Sequence, residues 1–138
     1  MGQPVPWSIS ISHTHDSVVA AIACQRDLSV GVDLVKPQAL SAGFQEQWFT
    51  AEERCWLQNE TELAPSVVWG MKEAVYKALR GTVPFAPRTI EIERSAAGGF
   101  RGRRADVWAD GSCRIWWRAT PHDDIAIFAT SIRGASHD

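Results

Sequence analysis

At 138 residues, with 45% hydrophobic content and a formal charge of −2, the chain has the size and apolar content of one domain with a single core. The slight acidity argues against a general nucleic-acid or polyanion binder, and no apolar run is long enough to span a bilayer. Cys24, Cys55 and Cys113 follow no zinc or redox spacing, and an odd count without a secretory signal points to reduced thiols in the cytoplasm.

Trp7 to His13 alternates polar and apolar residues, which predicts a strand over about 7–12 with Ile9 and Ile11 on one face and a Ser12-His13 pair at its end. The apolar run Val18 to Ile22 predicts a second strand at about 17–24. Ser29 to Val35 has strand composition interrupted by Asp33; that carboxylate either caps the strand end before Pro37 or, if buried, needs a partner or a metal. Helical segments follow at about 40–48, 51–59 and 65–80. Thr50 is a natural N-cap with Glu53 closing a capping box, and Pro65 and Gly81 bracket the longest helix. Within it Trp69, Glu73 and Lys77 share one face at four-residue spacing, while Met71, Val75, Ala78 and Leu79 offer an apolar face. On spacing alone, Glu73 and Lys77 read as an ordinary surface ion pair.

Strands are expected again at about 89–94, 104–109, 113–119 and 125–131. Gly98-Gly99 with Arg101, Arg103 and Arg104 reads as a basic hairpin or loop, and Trp116 and Trp117 should face opposite sides of a sheet. Strands lie on either side of a central helical block. An α+β domain with a mostly antiparallel sheet packed on that block is therefore expected, rather than alternating βαβ units.

Four segments in order, Ser10 to His13, Gly31-Val32-Asp33, Phe49-Thr50-Ala51-Glu52-Glu53 and Trp69-Gly70-Met71-Lys72-Glu73-Ala74-Val75-Tyr76-Lys77, resemble the motifs of the 4′-phosphopantetheinyl transferases. The resemblance runs from about Trp7 to about Ile132. It implies transfer of the 4′-phosphopantetheine arm of coenzyme A (CoA) to a serine of an apo acyl or peptidyl carrier protein, with release of 3′,5′-ADP. By the same resemblance, Asp33 and Glu73 hold Mg²⁺, Glu73 serves as base, and Lys77 meets the pyrophosphate. Ser12 and His13 match a 3′-phosphate site. Lys72 takes a lesser role toward CoA or carrier, and the arginines 101, 103 and 104 are a candidate carrier contact.

Two departures from the family pattern stand out. Long members carry a third metal carboxylate two residues after the Asp, where this chain has Val35. The motif order is that of the long, two-halved members, yet the single domain 1–138 looks like their second half plus the final strands of the first. A homo-oligomer, dimer or trimer, is the expected remedy. The alternatives are a fragment of a longer enzyme, a separate partner subunit, or a non-catalytic module binding CoA or carrier. A hydrolase or metal protein using His13, His15 and Asp16 is the weaker rival: His13 and His15 would make a ligand pair on one side of a continued strand, but no third ligand has motif-grade spacing.

Overall fold

The computed structural model describes residues 8–79, 84–95, 99–104 and 112–132. In chain order they form β1 (Ser8–His13), β2 (Val18–Ala23), β3 (Leu28–Val35), α1 (Ala42–Trp48), α2 (Ala51–Leu57), α3 (Pro65–Ala78), β4 (Ile90–Arg94), β5 (Phe100–Arg104), β6 (Ser112–Ala119) and β7 (Ile125–Ile132). The last five strands in spatial order, β3-β7-β6-β5-β4, make an antiparallel sheet, and β1 and β2 make a separate hairpin. The fold is α+β, as the distribution of strands around the helical block implies.

Helix α3 lies across the inner face of the sheet because its apolar stripe requires cover. Val67, Val68, Met71, Ala74, Val75 and Ala78 are buried against Ile90, Ile92, Phe100, Ile115, Ile127 and Ala129. Where α3 crosses β3 the two backbones nearly touch. A β-carbon on Gly31 would stand 2.0 Å from the Ala74 carbonyl oxygen and 2.6 Å from the Ala78 amide nitrogen. Gly31 is thus a requirement of space, set by how closely helix and strand approach. Helix α2 starts as its sequence predicts: the Thr50 side chain accepts from the Glu53 amide, and Glu53 accepts from the Thr50 amide.

The outer edge of β3 is closed in an unusual way. The backbone amides of Val30, Val32 and Leu34 donate to the hydroxyls of Ser8, Ser10 and Ser12 at 3.1, 3.0 and 3.1 Å. Every second residue of β1 therefore caps an edge amide with a side chain, which removes a free sheet edge without backbone pairing. The isoleucine face consequently points outward: Ile9, Ile11 and Ile22 are more than half exposed, and Val18 still more so.

The strand expected at about 104–109 falls largely outside the described residues, and the strand that is seen, β5, begins at Phe100. Arg101 and Arg103 accordingly sit in a strand, where they pair with Glu93 and Glu91 across the β4–β5 ladder. These two arginines are engaged within the sheet rather than displayed on a turn. Trp116 and Trp117 do lie on opposite faces, and both remain partly exposed; Trp117 leans on Phe100.

Candidate functional site

Asp33 is central to the site. It stands within β3, on the face turned to α3, and is buried. Its Oδ1 accepts from the Ser12 hydroxyl at 3.1 Å and lies 3.7 Å from the Lys77 ammonium. Lys77 in turn donates to the Val32 carbonyl at 2.8 Å, which ties the end of α3 to β3. Burial pushes the Asp33 carboxyl above its usual range, while the Lys77 charge and the Ser12 hydroxyl oppose the shift.

Glu73 lies one turn before Lys77 and is half-buried. Burial raises its carboxyl too, the negative charge of Asp33 raises it further, and Lys77 and a hydrogen bond from Trp69 counteract. Trp69 is held by Phe44, Phe49 and Phe85, with ring centroids at 5.0, 6.4 and 5.6 Å. That aromatic cluster fixes the indole that meets Glu73. Helical spacing on α3 thus delivers Glu73 and Lys77 to the same place as Asp33 from β3. The structure brings these three together.

Two neighbouring carboxylates faced by one ammonium leave a surplus of negative charge in a half-buried place, which favours a cation. No cluster of three or more His, Cys, Asp or Glu side chains suited to a metal occurs among the described residues. The donor set is therefore two carboxylates, all oxygen. It fits a hard dication that completes its shell with water and phosphate oxygens, and it does not fit a metal caged by protein alone. Val35, in the place of a third carboxylate, packs beside Gly70: its Cγ1 is 2.6 Å from where a Gly70 β-carbon would be, and Asp33 Oδ2 is 3.2 Å from the same point.

Other predicted site residues go elsewhere. Lys72 is fully buried. Its ammonium donates to both Glu53 oxygens at 2.6 and 2.8 Å and to the Ile90 carbonyl at 2.5 Å, so the structure corrects the expectation that it reaches CoA or a carrier. The physical reason is helical phase: adjacent residues diverge by about 100°, so the neighbour of a site residue faces the α2–β4 side. Burial depresses the Lys72 ammonium, and Glu53 opposes that shift. Ser12 meets Asp33. His13, next along β1, is exposed on the opposite face, with the isoleucines, and does not converge with the three. His15 and Asp16 occupy an exposed loop.

Sequence reasoning missed Asp124. This fully buried carboxylate accepts from Thr14 at 3.1 Å and Lys36 at 2.9 Å, clamping together the turn after β1, the end of β3 and the β6–β7 turn. The Lys36 hydrogen bond, the larger cause, and that from Thr14 hold its carboxyl below the usual range. The residues are too far apart in sequence to form a local pattern.

The family model for the 4′-phosphopantetheinyl transferase superfamily matches residues 29–130, most of the chain. The chain belongs to this superfamily. The match contains Asp33, Glu73 and Lys77 and begins after the β1–β2 hairpin that carries Ser12 and His13. Comparison with curated proteins gives no match. Membership identifies the general class, a phosphopantetheine transferase acting with CoA and a carrier protein. Among the described residues no helix is long and apolar enough to cross a membrane.

Proposed function

We propose that this superfamily member transfers the 4′-phosphopantetheine arm of CoA to the serine of an apo acyl or peptidyl carrier protein, Mg²⁺-dependently, with release of 3′,5′-ADP. The convergence of Asp33, Glu73 and Lys77 carries the reading. When bound by Asp33 and Glu73, Mg²⁺ would neutralise the pyrophosphate of CoA. Glu73, whose carboxyl is raised by burial and by Asp33, accepts the proton of the carrier serine hydroxyl. The serine oxygen forms a bond to the β-phosphorus of CoA as the bond from that phosphorus to the leaving 3′,5′-ADP oxygen breaks. Lys77, one-third exposed and anchored on Val32, presents its ammonium to the leaving phosphate and neutralises it. His13, exposed at the end of β1, is the side chain offered to the 3′-phosphate of CoA.

Self-association belongs to the same proposal. Ile9, Ile11, Val18 and Ile22 form an exposed apolar face on the hairpin, of the kind that is covered in an assembly.

Intact mass of an apo acyl carrier protein and an apo peptidyl carrier domain, after incubation with this protein, CoA and Mg²⁺, tests the reading. A phosphopantetheine mass gain that vanishes with EDTA and with Glu73→Gln supports it. No gain on either carrier while CoA still binds would favour a binding module or an enzyme half awaiting its partner.

A further inference from the structure

The serine ladder of β1 does more at one rung than at the others. Ser8, Ser10 and Ser12 each accept a backbone amide of β3, so every hydroxyl still has its own proton to donate. Among the described residues, only at Ser12 does a carboxylate stand within reach: Asp33 Oδ1, at 3.1 Å. The direction of this bond is fixed by chemistry, because the Leu34 amide can only donate and an ionised carboxylate can only accept. Lys77 also approaches Oδ1, at 3.7 Å. Ser12 and Lys77 thus meet the same oxygen of Asp33. Oδ2 is turned toward α3, 3.2 Å from the place a Gly70 β-carbon would take.

We propose that Ser12 is a positioning residue for Asp33: its hydroxyl, oriented by the Leu34 amide, holds Oδ1 with Lys77 and leaves Oδ2 as the oxygen offered to a divalent cation. This rests on the proposed metal-dependent reading of the site and changes the role expected of Ser12, from a contact with CoA to a support for a metal ligand. Outer partners of ligating carboxylates fix their orientation, and losing one weakens metal affinity by about 10–100-fold. The ladder supplies its own control. Ser10→Ala removes the same kind of backbone bond, to Val32, and touches no carboxylate.

The test is Mn²⁺ binding to the full chain, measured by electron paramagnetic resonance and calorimetry for wild type, S10A, S12A, S12C, S12T and D33N, with melting curves alongside. Ser12→Ala should weaken Mn²⁺ binding at least about tenfold, Ser12→Thr should restore it, and Ser10→Ala should bind like wild type despite a similar loss of stability. Ser12→Cys, which retains bulk but donates poorly, should behave like Ser12→Ala and provides the readout if the alanine variant fails to fold. Equal affinities for S10A and S12A, or wild-type affinity in S12C, would overturn the proposal. Wild-type Mn²⁺ binding by D33N would instead overturn the metal reading on which it rests.

Discussion

Gly31→Ala probes the close approach of α3 to β3 and the path from packing to activity. The added methyl would lie 2.0 Å from the Ala74 carbonyl oxygen, 2.6 Å from the Ala78 amide nitrogen and 2.9 Å from Lys77 Cβ. Ordinary contact begins at about 3.4 Å, so α3 must retreat from β3 by about 1.4 Å. No flexible side chain can yield in its place, because the nearest atoms are helix backbone. Overpacking of this kind costs about 1–3 kcal/mol, and the backbone clash puts this case at the upper end. For a chain of this size that lowers the melting temperature by about 10 °C. Glu73 and Lys77 ride on α3 while Asp33 stays on β3, so the same retreat separates the groups to which the proposed reaction assigns the chemistry. A misplacement of about 1 Å can cost about 100-fold in rate. Gly43→Ala is the paired control: nothing lies within 4 Å of its β-carbon, and an alanine in α1 should add about 0.5–1 kcal/mol. Thermal melts by circular dichroism and carrier modification by intact mass read both effects. A G31A protein that melts like wild type and modifies carrier at the wild-type rate would refute the argument, because it would mean the helix does not sit where the structure places it.

Glu73→Gln should stabilise the metal-free protein at pH 8 and not below about pH 4. The folded-state carboxyl is raised above its ordinary 4.5, so its contribution is fully favourable below that value and is lost as pH rises through the raised one; melts in EDTA from pH 4 to 8 check this, and a less stable variant at pH 8 contradicts it. Lys72→Met should destabilise by about 3–5 kcal/mol, since it strands the buried Glu53 charge. Adding Glu53→Gln should recover part of that loss, because the amide oxygen can still accept from the Ile92 amide; additive losses in denaturant titrations would contradict the pairing. Val35→Glu should lower the Mg²⁺ concentration needed for half-maximal transfer, and an unchanged value would show that this side chain stays packed at Gly70. His13→Ala should raise the KM for CoA more than for 3′-dephospho-CoA, whereas equal effects would remove the 3′-phosphate contact.

What the sequence made legible is what local chemistry determines. The Thr50–Glu53 capping box and Pro65 at the first turn of α3 mark helix starts within a few residues, and they appear where expected. The meeting of Glu73 and Lys77 follows from helical spacing, but their meeting with Asp33 became readable only through family resemblance. β5 is not expected over Phe100 to Arg104, because the arginines beside Gly98-Gly99 read as a polar turn; they are made tolerable in a strand by Glu91 and Glu93, on a neighbouring strand. Helical phase already separates Lys72 from Glu73, which is why only a lesser role is expected of it; that its partner is Glu53, nineteen residues earlier, has no local signal. The Ser12–Asp33 bond and the Asp124 clamp join segments far apart in sequence, and no periodicity reports such pairs.

The orientation of β1 shows why alternation alone was insufficient. A period of two assigns residues to faces without saying which face is inside. With serines inward, three β3 amides gain hydroxyl partners, and leaving a buried amide unpaired costs about 1–3 kcal/mol. With isoleucines inward, Ile9 and Ile11 would each gain about 1.5–3 kcal/mol from burial, and the edge amides would lose their partners. The two totals are of similar size, so neither hydrogen bonding nor apolar burial decides on the isolated chain. Asp33 favours the serine-in arrangement, because only that orientation brings the Ser12 hydroxyl to its carboxylate. The isoleucine burial forgone within one chain is then recoverable between chains. A second copy covering Ile9, Ile11, Val18 and Ile22 would let both faces of β1 be satisfied, which is the physical reason the proposed self-association and the serine ladder belong to the same arrangement.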